Sequence, residues 1–306
     1  MKKALVTGAN GFVGSALVRD LLKNGVEVIA LDREGCNNNI TDSTGVTFVP
    51  FELSGLSAAG DDLKKYGADT FFHLAWAGMN GPTRGDPQIQ MRNAMWTVDA
   101  LRTAKEIGCG RFVAAGSIME YETYSAVMAQ GNKPGINYVY GASKLAARSM
   151  CACLGAQLGI DVVWAEISNA YGPGELSPRL INSTLRKIIA GEPLQFTSGT
   201  QNYDFVYIDD VARAFRLIGE RGKPFHHYMI GSSNAKPLRE FLLEIKEAVA
   251  PDREFQFGDV PFTGTNLPLS AFDCTMLRED TGFVPEVAFS DGIRRTMDWL
   301  EKNQIS

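Results

Sequence analysis

The chain has 306 residues, is 45% hydrophobic and carries a formal net charge of −5. That length and content bury a sizeable core in one large domain or two unequal ones, and the acidic balance, without a basic patch to neutralise phosphates, excludes a nucleic-acid partner. No apolar run approaches the roughly 20 residues needed to cross a bilayer and the N-terminus lacks the apolar core of a secretory leader, so no membrane partner and a cytoplasmic location are expected. Cys36, Cys109, Cys151, Cys153 and Cys274 lack zinc-type spacing and read as reduced thiols. His73, His226 and His227 form no ligand set, so no metal is expected.

At the N-terminus the apolar run Ala4-Leu5-Val6-Thr7 meets Gly8-Ala9-Asn10-Gly11-Phe12-Val13-Gly14, followed by an amphipathic helix from about Ser15 to Asn24. Strand, glycine turn and helix in this order form a dinucleotide site. Gly8 permits the tight turn, Gly11 lets a pyrophosphate approach the backbone, and Gly14 lets the helix pack closely on the strand with its first amides facing the phosphates. Asn10, Phe12 and Val13 belong to the same loop. A second apolar strand, Val26 to Leu31, ends in Asp32, at the distance where an acid accepts hydrogen bonds from the adenosine ribose. That favours NAD. Arg33 follows, and a guanidinium there suits the 2′-phosphate of NADP, so NADP stays open.

Further along, strands are expected at Thr70 to Leu74, Arg111 to Ala115 and Val162 to Ile167, alternating with helices near Ile89 to Ile107 and Val139 to Leu158. This alternation predicts an α/β fold with a doubly wound parallel sheet over residues 1–172. The longer helix carries Tyr140-Gly141-Ala142-Ser143-Lys144, which places a phenol and an ammonium four residues apart on one face. An adjacent cation favours phenolate, which makes the tyrosine a usable acid or base. Beyond Pro173 come helices near Arg179 to Ala190 and Leu238 to Val249, with short strands and prolines between, read as a smaller lobe over residues 173–306. The chain is expected to return to the first domain near 204–231, through the Val206 to Gly219 region and the Tyr228 to Ile230 strand.

The glycine loop, His73-Leu74-Ala75-Trp76, Asn93, Ser117, Tyr140 with Lys144, Ser168-Asn169-Ala170-Tyr171-Gly172-Pro173 and Asp204-Phe205-Val206-Tyr207-Ile208-Asp209-Asp210-Val211-Ala212 occur here in one order. In them the chain resembles the extended short-chain dehydrogenase/reductases, the nucleotide-sugar epimerases, dehydratases and 4-ketoreductases, over nearly its whole length. The resemblance implies a Rossmann fold holding NAD, with Leu74, Ala75, Trp76, Asn93 and Ile167 bordering the dinucleotide beside the glycine loop, Asp32 and Arg33. It also implies a nucleotide-sugar substrate and pairing into a homodimer through the helix bearing Tyr140 and Lys144, where Ala146, Ala147, Met150 and Leu154 offer an apolar stripe that suits a core equally well.

Implied roles for the site residues follow. Ser117 hydrogen-bonds the reacting oxygen, Tyr140 passes a proton, and Lys144 lowers the phenol pKa while bonding the nicotinamide ribose. On the substrate side Asn169 meets the diphosphate and Arg179 opens a helix over the nucleotide. Trp76 either stacks on a sugar face or is plain core, and Glu120 either touches a sugar hydroxyl or pairs with an arginine or water. Ile118 and Met119 stand where the 4,6-dehydratases carry an Asp-Glu pair, which argues against water elimination. Tyr203 replaces an arginine that clamps the diphosphate in many relatives. Three readings remain: an oxidoreductase of carbohydrate biosynthesis that reduces the C4 ketone of a 4-keto-6-deoxy nucleotide sugar, a nucleotide-sugar 4-epimerase, and a non-enzymatic dinucleotide-binding sensor or scaffold.

Overall fold

The computed structural model describes residues 1–35, 40 and 44–304, so Cys36 lies outside the described residues. Seven parallel strands form the central sheet: β1 (Lys3–Thr7), β2 (Glu27–Asp32), β3 (Val46–Pro50), β4 (Thr70–His73), β5 (Arg111–Ser117), β6 (Asp161–Ile167) and β7 (His227–Ile230). Their spatial order is β3-β2-β1-β4-β5-β6-β7. The order reverses between β1 and β4, and in a doubly wound sheet the crevice beyond the carboxyl ends of those strands receives the ligand.

The longer helices of the described residues are α1 (Phe12–Lys23), α2 (Pro87–Glu106), α3 (Met119–Val127), α4 (Tyr138–Leu158), α5 (Leu180–Ile189), α6 (Ile208–Arg221), α7 (Leu238–Val249) and α8 (Phe289–Lys302). Side chains alternate across the sheet with the strand period of two. Ala4, Val6, Val28, Phe72 and Val113 face α1 and α6, whereas Leu5, Ile29, Phe71 and Phe112 face α2 and α4. Both faces are covered, which is why these strands read as continuous apolar runs. The late return of the chain is visible in the pairing: β7 lies parallel beside β6, with Tyr228 opposite Ala165. Helix α6 packs on α1, tied by Arg216 Nε at 2.7 Å from Asp20.

The chain beyond β6 builds short pairs instead of a second sheet. Asn169–Tyr171 runs parallel to Phe205–Tyr207, Leu194–Phe196 parallel to Phe255–Phe257, and Asn202–Tyr203 antiparallel to Lys236–Pro237. Helices α7 and α8 meet through Phe241 and Phe289, ring centroids 4.9 Å apart. No helix of the described residues is long and apolar enough to cross a membrane.

Three of these elements depart from the sequence reading, one of them α8, since no helix was expected beyond Val249. Strand β3 was not expected; it lies at the sheet edge with most of its residues exposed. Helix α3 was not expected either, because its apolar residues are few and Glu120, not an apolar residue, occupies its buried side. Of the apolar stripe on α4, Ala147 is fully buried, whereas Ala146, Met150 and Leu154 are partly buried, the latter two packing on the protein's own interior. Exposed apolar side chains lie instead on α2, at Met91 and Met95.

Candidate active site

The glycine loop is shaped by close backbone contacts. Gly8 has φ +70°, and a Cβ there would fall 2.9 Å from the Ala75 backbone; one on Gly14 would fall 2.0 Å from the Gly8 carbonyl oxygen. Gly11 donates its N–H to that same carbonyl at 3.0 Å. Glycine at 8 and 14 is therefore a packing requirement that leaves a concave cradle at the N-terminus of α1. Asp32 closes one end: its carboxylate accepts from the backbone N–H of Asn10 and of Arg33, each at 2.8 Å. Gly8, Gly11, Asp32, Arg33, Leu74, Ala75 and Trp76 line one part of the crevice. Phe12, Val13, Gly14, Tyr140, Lys144 and Ile167 line the next.

Asn93 does not reach this crevice. Its amide is spent on the chain after β4, accepting from Ala77 N at 2.8 Å and donating to Ala77 O and Ile89 O. It braces the loop that forms the crevice wall and makes no contact of its own there. Trp76 also takes one of its two expected places: its indole N–H donates to Gln90 at 2.7 Å, and its ring lies on the dinucleotide side, outside the sugar-side cleft.

Ser117 ends β5 and lines the same crevice as Tyr140, which comes from the first turn of α4. Lys144 is one turn further on, yet it does not act on the phenol as expected. Its ammonium donates to Ala115 O at 2.7 Å, lies 3.7 Å from the Trp76 ring centroid and stays 5.9 Å from that of Tyr140. Burial raises the Tyr140 pKa, and the cations that oppose the rise are Arg84 and Arg179. Burial also pushes Lys144 down to about 7, against the pull of Glu120. Burial thus outweighs the charges around Tyr140, and the cation nearest its ring is Arg84, with Lys144 further off.

Glu120 turns away from the cleft. It is 1% exposed and accepts from Ser117 N at 2.9 Å and from the Trp164 indole at 3.0 Å. Of its two expected partners, a sugar hydroxyl or an arginine, it takes the arginine. Arg148 approaches Glu120 at 3.8 Å and Glu166 at 2.7 Å, so two buried carboxylates share one guanidinium. Burial first, then repulsion by Glu120, pushes Glu166 up to about 8 despite Arg148. A raised carboxyl contributes stability below its unfolded value that is lost as pH rises through the folded one. Thermal melts of the wild type are expected to fall by a few degrees as pH rises through about 8. Glu166→Gln flattens that fall; parallel curves for the two proteins would refute a raised Glu166 carboxyl.

Beside Ser117 opens a cleft of about 340 Å³, the size of a small-ligand site. Its walls include Met119, Asn169, Arg179 and Tyr203, all expected, together with Arg84 and Glu122, which sequence reasoning missed. Asn169 is held by a bond to Asp204 O at 3.1 Å, and Arg179 is the N-cap residue of α5. Glu122 is pushed up to about 7 by burial, with Arg84 opposing. Its signal was available: on a helix, 122 follows 119 at i+3 and shares its face. Arg84 had a fainter one, the Asp86-Pro87 start of α2, where Asp86 accepts from Gln88 N at 2.8 Å and turns the preceding residues back on the cleft. Among the described residues no cluster of His, Cys, Asp and Glu is placed to hold a metal ion.

With this geometry in view, the comparisons with known proteins are specific. The sequence profile of the NAD dependent epimerase/dehydratase family matches residues 4–231, and the chain belongs to that family. It is 27% identical over 314 residues to a dTDP-glucose 4,6-dehydratase of Streptomyces griseus, across 98% of this chain and 94% of the relative. Its fold is that of the UDP-glucose 4-epimerase of Thermotoga maritima, solved with UDP-glucose, at TM-score 0.82 and 21% identity over 99% of each chain. The UDP-glucuronic acid 4-epimerase of Bacillus cereus, solved with UDP-glucuronic acid and NAD, superposes at TM-score 0.79 and 23% identity, over 98% of this chain and 99% of that one.

Proposed function

We propose that the protein reduces the C4 ketone of a nucleotide-linked 4-keto-6-deoxyhexose, with Tyr140 as proton donor. The observation that carries this reading is the convergence of Ser117, Tyr140 and Lys144 on one crevice at the end of β5, flanked by Ile118 and Met119, which cannot move protons. NAD fits the crevice: the Gly8 and Gly14 cradle accepts a pyrophosphate, Asp32 suits the ribose, and Lys144 stands beside both Trp76 and Tyr140. Bound in its reduced form, the dinucleotide would supply the hydride taken up by the sugar carbon. Ser117 orients the ketone oxygen, Tyr140 delivers its proton to it, and Lys144 holds the ribose side. Residues 173–306 mainly receive the substrate, with Asn169, Arg179 and Tyr203 toward its diphosphate.

Epimerisation at C4 is a second reading, supported by how the chain covers the crevice. Glu175, Ser177 and Arg179 line it opposite Gly8, Gly11 and Phe12, an enclosure suited to a dinucleotide that stays bound between turnovers. The test is to denature the purified protein, identify what is released, and then follow NADH and NADPH consumption with a panel of 4-keto-6-deoxy nucleotide sugars. Steady consumption from an empty site supports the reductase. Stoichiometric NAD, no net consumption and interconversion of UDP-glucose-type epimers replace it with the epimerase. Formation of a 4-keto-6-deoxy product from dTDP-glucose or UDP-glucose would overturn both and make Glu122 the acid of an elimination.

Asp32→Ala is expected to weaken NAD roughly tenfold or more while affecting NADP less, since the ribose hydroxyl loses its acceptor. Equal losses, measured by calorimetric titration of both dinucleotides, would instead assign Asp32 only to bracing Asn10. Pairing of two copies would use α2, where Met91 and Met95 are each 47% exposed; light scattering is expected to give twice the mass of the chain, and a monomer mass ends that proposal.

A further inference from the structure

Arg84 occupies a place that the motifs of the active site do not account for. It lies in the single turn Gly81–Gly85, ahead of α2, and this turn is built to hold one position. Gln90 clamps it from α2, donating to Gly78 O at 2.9 Å and Thr83 O at 3.0 Å. Gly85 is buried against Ile136, whose side chain would lie 2.8 Å from a Cβ there. Arg84 itself donates to Met79 O at 3.0 Å, and its guanidinium carbon stands 4.3 Å from the centroid of the Tyr140 ring. Lys144, the expected cation, is 1.6 Å further from that ring, at 5.9 Å.

We propose that Arg84 is a positioning residue of the proton-transfer step: its guanidinium, clamped over the ring face of Tyr140, stabilises the negative charge that the phenol acquires when its proton leaves. This rests on the reading of Tyr140 as the proton donor. In reduction the O–H bond of Tyr140 breaks and a new one forms at the sugar oxygen, while the dinucleotide's hydride goes to carbon; the phenolate left behind is then reprotonated from solvent. A cation on the ring face attracts the phenolate more strongly than the phenol, through both the ring quadrupole and full charge.

Every element around the phenol bears on this balance. Ser117 from β5 and Arg179 ahead of α5 favour ionisation, Glu120 from α3 opposes it, and Lys144 lies along the same helix. Trp76 meets the ring edge-on at 5.9 Å and brings no charge. Facing Arg84 in turn are Tyr140, Arg179 and Glu122. Arg84 is the nearest cation to the ring and is itself partly desolvated, so its field on the phenol is less screened than that of the exposed Arg179.

The test needs neither substrate nor dinucleotide, so it stands apart from the fate of the proposed activity. Protein labelled at the tyrosine ζ carbon is titrated by NMR, with Tyr140→Phe assigning the Tyr140 resonance, and wild type is compared with Arg84→Met and Arg84→Lys. Arg84→Met is expected to move the Tyr140 midpoint to higher pH, leaving about tenfold less phenolate at a given pH below it, or to push it out of the range where the wild type titrates. Arg84→Lys, which keeps the charge, restores most of the wild-type midpoint. A Tyr140 resonance that behaves alike in all three proteins, including one that titrates in none, overturns the proposal. So does a midpoint that shifts equally in the Met and Lys variants, because packing and not charge would then be responsible.

Discussion

Tyr140→Phe lowers turnover by about 10²- to 10⁴-fold and leaves dinucleotide affinity nearly intact. The phenyl ring keeps its contacts with Trp76 and the Arg84 guanidinium, so only the exchangeable proton is lost, and general acid catalysis has that magnitude. The ring is 5% exposed and lines the crevice beside Lys144, so a phenylalanine there keeps the packing. Turnover measured with the substrate that works, beside a calorimetric dinucleotide titration, separates the two effects. Wild-type turnover would remove Tyr140 from the chemistry altogether. Equal loss of turnover and of dinucleotide binding would make it a structural residue of the crevice.

Gly14→Ala acts at the opposite end of the crevice and through sterics alone. The added methyl carbon would meet Gly8 O at 2.0 Å, Gly8 C at 2.8 Å and the Ala9 Cα at 3.0 Å, all backbone atoms that cannot turn aside. Relief requires α1 to move off β1, which opens the cradle and loosens a helix whose Ala16, Leu17, Val18 and Leu21 are core. The expected result is a loss of about 100-fold or more in dinucleotide affinity, from misplaced amides, and of about 2–4 kcal/mol in stability. Titration and thermal melting read both. An alanine variant that binds and melts as the wild type does would show that the loop adapts, contrary to the close packing described.

The crevice was legible in the sequence because its chemistry is local. Gly8, Gly11, Gly14 and Asp32 lie within one strand-helix-strand unit, and spacing alone brings them together. Ser117, Tyr140 and Lys144 were legible through a motif order. Their energetic relation was not, since the burial that raises Tyr140 and lowers Lys144 depends on Trp76, Glu120 and Arg84 converging from three separate elements. The same reason hid Glu122 and Arg84. Each sits in an element whose apolar period is too short to predict, and each reaches the cleft only because α3 and the turn before α2 flank the same strand end.

Strand β7 is contributed by residues 227–230, yet it hydrogen-bonds β6, which ends at Ile167. During synthesis the sheet edge at β6 therefore stays open until some 60 further residues have left the ribosome, and α6, which covers β1 through α1, arrives in the same stretch. The nascent dinucleotide half cannot be finished ahead of the rest. For the same reason recombination has no clean cut between the halves: a chimaera joined near residue 172 inherits its last strand and one covering helix from the other parent. Exchange of substrate preference is expected to succeed only when crossover points flank the 204–231 stretch and leave it with its own sheet.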